Sequence, residues 1–286
     1  MRVKTAAKIN LALDVTGKLP NGYHNLESVF QTVGLYDEVE VELTNSGIEL
    51  SCDVPDEFAS SDPIPCDERN IAYKAAKFFF EQNGMDCGCR IHIRKGIPSQ
   101  AGMGGGSTDA AAVLYCLGRM TGKTVVNSEK LGADVPFFLT GGTAYVEGIG
   151  EKITPIADYS GRILVIAKGK EGVSTAEAYR NIDSLTAPAH PETHKLVEAI
   201  NSAPDTAYKY FGNLFEQAVE LPEVEDIKSN MLKYCALSAV MTGSGSAVFG
   251  LFEDAEQAAV CTEKLKEKDY FACVCETVAE SFIAID

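Results

Sequence analysis

A glycine-rich segment, residues 98–109 (PSQAGMGGGSTD), constrains the fold of this chain more than any other feature. The alternating run RIHIR before it predicts a strand, and the run AAAVLYCL after it predicts a helix. Glycines in series allow positive φ, and a helix that begins directly behind them adds free N–H groups and the positive end of its dipole. This arrangement predicts an anion site and indicates the phosphates of a nucleotide.

The competing interpretation is a plain glycine turn between a strand and a helix. The segment matches neither common nucleotide motif, because no lysine follows the glycines and Ser107 stands where the dinucleotide fingerprint has its last glycine. A second candidate, residues 118–124 (GRMTGKT), is one residue short of a P-loop. We interpret it as a helix end, with Gly122 as the residue that follows the helix.

The composition limits the classes of partner. The chain has 286 residues, enough for two domains, and it carries a net charge of −16. Such a charge repels nucleic acid and anionic membrane surfaces, so we expect neither as a partner. No apolar run approaches the roughly 18 residues of a membrane helix, and the N-terminal residues do not resemble a signal peptide. No oligomeric state follows from these observations.

Cysteine usage indicates the compartment. The nine cysteines form no C-x-x-C pair, and the two close pairs are separated by one residue each. Cys273 and Cys275 are expected to be packed thiols on one face of a strand, because residues two apart in a strand share a face. We expect reduced thiols and a cytoplasmic protein.

The order of predicted elements indicates an α+β fold. Alternating residues at 8–15 and 38–43 predict strands, and residues 70–83 predict a helix that ends at Gly84. Residues 134–136 are expected to form a proline-containing turn, and Ser174 to open a helix through a capping box. Strands and helices do not alternate regularly, which argues against a doubly wound parallel sheet.

Several segments together resemble one family. The glycine loop resembles the phosphate loop of the GHMP kinases. The resemblance is narrower at residues 6–39, which include GYH, and at 132–151, 173–180 and 241–252. These segments resemble the 4-diphosphocytidyl-2-C-methyl-D-erythritol kinases, which are GHMP kinases of non-mevalonate isoprenoid biosynthesis.

The resemblance implies a fold and a reaction. The expected fold is a two-domain GHMP kinase, with a domain like ribosomal protein S5 domain 2 at 1–153 and a ferredoxin-like domain at 154–286. The expected reaction is transfer of a phosphoryl group from ATP, with Mg²⁺, to the 2-hydroxyl of a cytidine-diphosphate-linked methylerythritol. The site is expected in the cleft between the domains.

The resemblance also assigns catalytic residues. Asp134 in GADVPFF matches the family's catalytic aspartate, although an Asp before Val-Pro is otherwise more often a cap or turn residue. Lys8 matches the active-site lysine, which would keep Asp134 ionised and stabilise a developing alkoxide. Without the resemblance, Lys8 would be interpreted as a solvated strand residue. Asn10 lies on the same strand face and is expected to bind the substrate polyol.

The remaining expected contacts lie on the two substrates. Tyr23 and Tyr179 are expected to sandwich the cytosine, with His24 on its edge as a neutral imidazole. Phe30 is expected as a pocket wall or, equally, as a core residue, and Thr175 as a further substrate contact. Ser107 is expected to reach Mg²⁺. The residues expected to bind ATP are Lys95, Pro98, Ala101, Gly102, Met103, Gly104, Gly105, Gly106, Ser107 and Thr108.

Two departures from the family pattern bear on geometry. The segment between Asp109 and Asp134 is about half a dozen residues shorter than is usual for the family. Leu214 stands where the family commonly has an aspartate. Two other functions remain open at this point: a GHMP kinase for another small alcohol such as homoserine or mevalonate, and a non-catalytic nucleotide-binding protein of the same fold. The Tyr23, His24 and Tyr179 set argues against the first, and the joint presence of Lys8 and Asp134 against the second.

Overall fold

The computed structural model describes residues 1–58 and 63–285, which form two β-sheets with helices packed on them. The strands are β1 (Arg2–Lys18), β2 (His24–Thr44), β3 (Ile48–Asp53), β4 (Gly88–Arg94), β5 (Thr143–Gly148), β6 (Lys152–Pro155), β7 (Ile163–Lys168), β8 (Gly212–Asn213), β9 (Ser238–Met241), β10 (Val248–Phe252), β11 (Phe271–Glu276) and β12 (Phe282–Ile285). The helices are α1 (Ile71–Asn83), α2 (Gly105–Thr121), α3 (Val135–Thr140), α4 (Thr175–Ile182), α5 (Thr193–Ser202), α6 (Pro222–Lys233) and α7 (Ala255–Lys266).

The first sheet is built on the long antiparallel hairpin of β1 and β2. Its strand order is β12-β1-β2-β4-β3, with β5 also on β2, β6 on β5 and β8 on β1. Three register shifts interrupt the pairing of β1 with β2. Such bulges bend a strand, and one end of β2 pairs with β4 while the other pairs with β5.

Helices α1 and α2 pack on this sheet through buried small and aromatic residues. Asn70 caps α1 by accepting a hydrogen bond from the Ala72 N–H, and Gly84 ends it with a φ of 59°. Helix α2 exposes no side chain at Ala110, Ala111 or Ala112, whose small size lets the helix lie close to its neighbours. Helix α2, which follows the glycine loop, is therefore closely packed on the sheet.

The second sheet is antiparallel with the order β11-β7-β10-β9. Along the chain its elements run β7, α6, β9, β10, α7, β11, with α4 and α5 inserted after β7. This βαββαβ order with that strand arrangement is the ferredoxin-like topology. The α+β class and the ferredoxin-like C-terminal part are thus confirmed.

The structure corrects one local prediction and adds two elements. Asp134 and Pro136 do not form an isolated turn, because residues 135–140 continue as helix α3 with Asp134 at its cap and Pro136 in its first turn. Helix α6 and strand β12 were not predicted. Strand β12 pairs with β1, so residues near the chain's end belong to the first sheet. The domain limits at 1–153 and 154–286 stay a prediction.

All nine cysteines lie within the described residues, and none of them forms a disulfide there. Cys275 is buried and Cys273 half-buried on β11. In residues 1–58 and 63–285, no helix is long and apolar enough to span a membrane. The cytoplasmic location and the exclusion of nucleic acid and membrane partners stay predictions.

Candidate active site

A buried lysine and a carboxylate meet at the middle of β1. Lys8 is only 4% exposed, and its Nζ donates to Asn10 Oδ1 at 2.8 Å and lies 3.7 Å from Asp134 Oδ2. The same ammonium stands 4.5 Å from the centre of the Phe30 ring, a favourable cation–π position. Strand β1 brings Lys8 and Asn10 to one face, and the start of α3 brings Asp134 to them. The structure thus joins four residues of the predicted site.

The environment of Lys8 makes it an unusual lysine. Burial lowers its pKa below the ordinary value of 10.5, although the charge of Asp134 opposes this change. The side chain of Asp134 is 28% exposed, so it faces open space beside a sequestered ammonium. Phe30 is buried and packs edge-on against Phe137, which makes it both a core residue and the floor under Lys8.

The glycine loop encloses one side of a cavity of 410 Å³, which we call the loop cavity. Gly104 takes a φ of 73° and caps α2, so the first N–H groups of the helix have no acceptor within the helix. The loop approaches Lys8 closely: the Lys8 N–H donates to Met103 O at 3.1 Å. The residues lining the cavity include Lys95, Pro98, Ala101, Gly102, Met103, Gly104, Gly105 and Gly106.

Ser107 and Thr108 are not among the described lining residues of the loop cavity. Thr108 is fully buried; its Oγ1 donates to Ala6 O at 2.8 Å and contacts Thr5 Oγ1. Its N–H donates to Gly104 O. Thr108 therefore ties α2 to β1 with the groups that a phosphate ligand would use. Ser107 is half-buried one residue earlier, beside Gly132.

A second glycine loop, residues 242–246 between β9 and β10, backs the first. A Cβ on Gly243 would stand 2.7 Å from the backbone of Gly102, so the two loops touch backbone to backbone. Asn10 Oδ1 accepts from the Gly243 N–H at 3.0 Å. From the other side, Asn213 Nδ2 donates to Met241 O and Gly243 O at 2.7 and 2.8 Å. Both asparagines therefore position this loop.

Asn213 and Thr242 were not predicted as site residues. The sequence showed a glycine turn at MTGSGS but no sign of what it contacts. Leu214, which departs from the family pattern, is buried in the core below the site, and Asn213 supplies the polar contacts there.

A second cavity, of 420 Å³, lies beside α4; we call it the aromatic cavity. His24 stacks on Tyr179 with ring centres 4.6 Å apart, and His24 Nε2 lies 2.8 Å from Asp183 Oδ1. The hydrogen bond from His24 lowers the pKa of Asp183, so this carboxylate accepts and His24 Nε2 carries the proton. The described lining residues are Lys18, Gly22, Tyr23, His24, Ile149, Ala176, Tyr179, Arg180 and Asp183.

The expected tyrosine sandwich is not closed in this structure. Tyr23 is 60% exposed, and His24 covers one face of Tyr179. Phe215 meets Tyr179 edge-on at 5.0 Å. Burial, aided by the charge of Asp134, raises the pKa of Tyr179 to about 12, so Tyr179 is a neutral phenol near the catalytic carboxylate. Thr175 lies at the start of α4, where its Oγ1 is 3.0 Å from Ser244 Oγ in the second glycine loop.

Comparison with known proteins identifies the family. Residues 70–142 match the model of the GHMP kinases N terminal domain, and residues 197–270 match that of the GHMP kinases C terminal domain. Two relatives named 4-diphosphocytidyl-2-C-methyl-D-erythritol kinase come from Clostridium botulinum. The protein of strain Kyoto / Type A2 is 42% identical, and that of strain Eklund 17B / Type B is 43% identical. Each alignment spans 277 residues, 94% of this chain and 96% of the relative.

Solved structures agree with this assignment. A crystal structure of 4-(cytidine 5'-diphospho)-2C-methyl-D-erythritol kinase matches with a TM-score of 0.80 and 31% identity, covering 97% of this chain and 99% of the other. Homoserine kinase from Cytophaga hutchinsonii matches with a TM-score of 0.76 over 100% of this chain and 97% of its own, but at 17% identity it shows the fold alone. By its identity to these relatives over nearly its whole length, the chain belongs to the 4-diphosphocytidyl-2-C-methyl-D-erythritol kinase family of the GHMP kinases.

Proposed function

We propose that the protein transfers the γ-phosphoryl group of ATP to the 2-hydroxyl of 4-diphosphocytidyl-2-C-methyl-D-erythritol. One observation carries the proposal: the Lys8 and Asp134 pair lies directly against the glycine loop. Lys8 is bonded to Met103 through its backbone, and a Cβ on Gly104 would stand 3.3 Å from Lys8 Cγ. An acceptor hydroxyl at Asp134 would therefore adjoin a phosphate bound at the loop, as in-line transfer requires.

In this mechanism, the loop and the start of α2 bind the phosphates of ATP. Their backbone N–H groups and the helix dipole favour negative charge there. The buried backbone contact between Gly102 and Gly243 keeps the loop at one distance from Lys8. The site thus orients the donor by rigid backbone groups, which lose little freedom when the nucleotide binds.

Asp134 orients the acceptor hydroxyl and takes its proton. The Lys8 ammonium stabilises the negative charge that develops on the acceptor oxygen, and its low-dielectric surroundings strengthen this interaction. Asn10 and Phe30 keep the ammonium in place, one by accepting a hydrogen bond and the other by its ring face. The pair therefore acts on the acceptor, whereas the loop acts on the donor.

Few protein side chains are available at this site as ligands for Mg²⁺. In the part of the chain that the structure describes, no group of three or more His, Cys, Asp or Glu side chains could hold a metal ion. Ser107, in the first turn of α2, would be its protein ligand, although this side chain lies beside Gly132 and is not among the described residues that line the loop cavity. Phosphate oxygens and water would complete the shell. When bound, Mg²⁺ neutralises charge on the transferring phosphoryl group.

The aromatic cavity is the proposed site for the cytidine end of the acceptor. Ile149 lines this cavity, and its neighbour Gly150 lies beside Asp134, which connects the cavity to the catalytic pair. His24 Nε2 donates to Asp183, which leaves Nδ1 of a neutral ring as an acceptor for the cytosine amino group. Tyr23 and Tyr179 would stack on the base, and Thr175 would contact the polyol.

The decisive experiment measures ADP release by purified protein with Mg-ATP and each of three alcohols. These are 4-diphosphocytidyl-2-C-methyl-D-erythritol, homoserine and mevalonate. We expect turnover only with the first. Turnover with another alcohol would retain the Lys8 and Asp134 chemistry but reject the aromatic cavity as a cytosine site. Nucleotide binding without turnover on any of them would favour a non-catalytic binding protein.

A further inference from the structure

A buried ion-pair cluster lies at the base of the glycine loop. Lys95 Nζ contacts Asp37 Oδ2 and donates to Asp109 Oδ2 at 2.7 Å. The three side chains come from β2, the segment after β4 and the second turn of α2. All three are nearly inaccessible, with exposures of 7% for Lys95, 0% for Asp37 and 5% for Asp109. Because they gather from three elements, they join these elements at one point.

The cluster ties both ends of the loop. Asp37 Oδ1 accepts from the N–H groups of Gly96 and Ile97 at 2.7 and 2.8 Å, just before the loop begins. Asp109 stands one turn beyond Gly105, where the loop ends. Lys95 bridges the two carboxylates. The loop between residues 97 and 105 is therefore closed by charged groups at its base.

The ammonium of Lys95 also borders the nucleotide site. A Cβ on Gly105 would stand 3.5 Å from Lys95 Nζ, so Nζ lies against the first residue of α2. Both Lys95 and Asp109 line the loop cavity. An ammonium has three N–H donors, and the two carboxylates use two of them. One donor remains for a ligand in the loop cavity.

The charge state of the cluster suits an anionic ligand. Burial by itself lowers the pKa of Lys95, but the charges of Asp109 and Asp37 outweigh this effect and raise it, so Lys95 stays protonated. Asp109 Oδ1 is buried and has no hydrogen-bond partner in residues 1–58 and 63–285, so only its Oδ2 is compensated there, by Lys95. The cluster therefore repels a nucleotide less than two free carboxylates would.

We infer that Asp37 and Asp109 are positioning residues that hold the Lys95 ammonium at the start of α2, with one N–H free for the bound nucleotide. The inference rests on the proposed ATP site and adds the means by which its lysine is oriented. Both carboxylates act through Lys95, although Asp109 also lines the loop cavity. Their loss should weaken nucleotide binding while leaving the transfer step, which depends on Lys8 and Asp134, largely intact.

The test is a double-mutant cycle on Lys95 and Asp109, with KM for ATP and kcat as readouts. Asp109→Leu removes the acceptor for Lys95, and we expect KM for ATP to rise about tenfold with kcat within about twofold. Asp109→Asn retains an amide oxygen that can accept from Lys95, so it should recover most of the affinity. Asp226→Leu is the control, because Asp226 on α6 pairs with Lys268 at 2.7 Å and neither residue is among the described residues lining the loop cavity.

The double variant separates positioning from simple stability. If Asp109 acts only through Lys95, Lys95→Met/Asp109→Leu should have the same KM for ATP as Lys95→Met. It leaves no buried lysine unpaired, and Asp37 keeps the Gly96 and Ile97 N–H donors, so it serves where a single variant fails to fold. An unchanged KM for ATP in folded Asp109→Leu, or equal further losses in both backgrounds, would overturn the inference. Wild-type turnover, measured in parallel, tests the proposed function separately.

Discussion

At the scale of single residues, the site is organised by one ammonium that has been taken out of water. Lys8 is bound by Asn10, lies above Phe30 and faces Asp134 from 3.7 Å. Removing a charge from water is costly unless partners compensate, and a half-open carboxylate compensates less than a buried one. We therefore expect the Lys8 and Asp134 pair to be stabilised when an acceptor hydroxyl and a phosphate bind beside it.

Asp134→Asn should abolish turnover while leaving ATP binding intact. The amide occupies the same space but cannot take the proton of the acceptor hydroxyl, so kcat should fall by about a thousandfold. Rapid-quench kinetics and ADP-binding calorimetry measure the two effects. Asp158→Asn, on an exposed loop, is the control. A fully active Asp134→Asn enzyme would contradict the proposed mechanism.

The rate should fall on the alkaline side at a lower pH than an ordinary lysine predicts. Lys8 acts as an ammonium, and burial lowers its pKa below 10.5, so its charge is lost earlier as pH rises. Arginine keeps its charge to higher pH, so the residual activity of Lys8→Arg should lack this limb. The pH profile of kcat for both proteins makes the comparison. An unchanged limb in Lys8→Arg would assign it to another group.

The folded state should gain stability relative to the unfolded chain as pH rises from the folded pKa of Lys8 towards 10.5. Over that interval the unfolded chain binds more protons, which is the condition for stability to increase with pH. Lys8→Met should remove this gain. Chemical denaturation of both proteins at several alkaline pH values gives the difference, and equal slopes would contradict the assignment.

At the scale of elements, two loops that belong to different sheets form one surface. The loop before α2 belongs to the first sheet, and residues 242–246 belong to the second. They meet where Gly102 and Gly243 leave no room for a side chain. Ala247 N–H also donates to Ala101 O at 3.4 Å. The conformation of the glycine loop therefore depends on residues 242–246, which lie more than a hundred residues away in the chain.

Gly243→Ala should raise KM for ATP by more than the strain of an alanine at this positive φ explains. Gly243 has a φ of 59°, and its new Cβ would collide with the backbone of Gly102 at 2.7 Å. We expect KM for ATP to rise and stability to fall by about 1–3 kcal/mol. Gly161→Ala is the matched control, because it has a φ of 78° but no atom within 4 Å of its Cβ. Equal KM values in the two variants would contradict the loop contact.

At the scale of the whole molecule, the chain closes on itself. Strand β12 pairs with β1, the strand that carries Lys8, and Phe282 stacks on Tyr115 of α2 with ring centres 4.6 Å apart. The last part of the chain therefore supports both the catalytic strand and the phosphate-loop helix. Such support is expected to matter for stability and not for the chemical step.

Phe282→Ala should destabilise the protein by about 2–3 kcal/mol through loss of packing. Its kcat at a temperature where it is folded should match the wild type. Ile283→Ala, on the same strand but 44% exposed, should cost little. Thermal unfolding and steady-state kinetics give both readings. A kcat loss in folded Phe282→Ala would show that the strand acts on the site itself.

The sequence by itself determined the features that depend on neighbours along the chain. Positive φ at Gly104, the Gly84 end of α1 and the Ser174 cap of α4 follow from local backbone and side-chain geometry. The α+β class followed from the order of such elements. Resemblance to a family then singled out Lys8 and Asp134, which no local rule would have joined.

Only the tertiary structure decided which distant groups meet. Asn213 touches the second glycine loop, and Asp37 reaches Lys95, across long stretches of sequence. His24 covers Tyr179, where the expected sandwich placed a base. Helix α3 forms where a turn was predicted, because packing of Phe137 and Phe138 in the core outweighs the local turn preference. Contacts of this kind depend on how the two sheets pack together, and a local pattern does not record that packing.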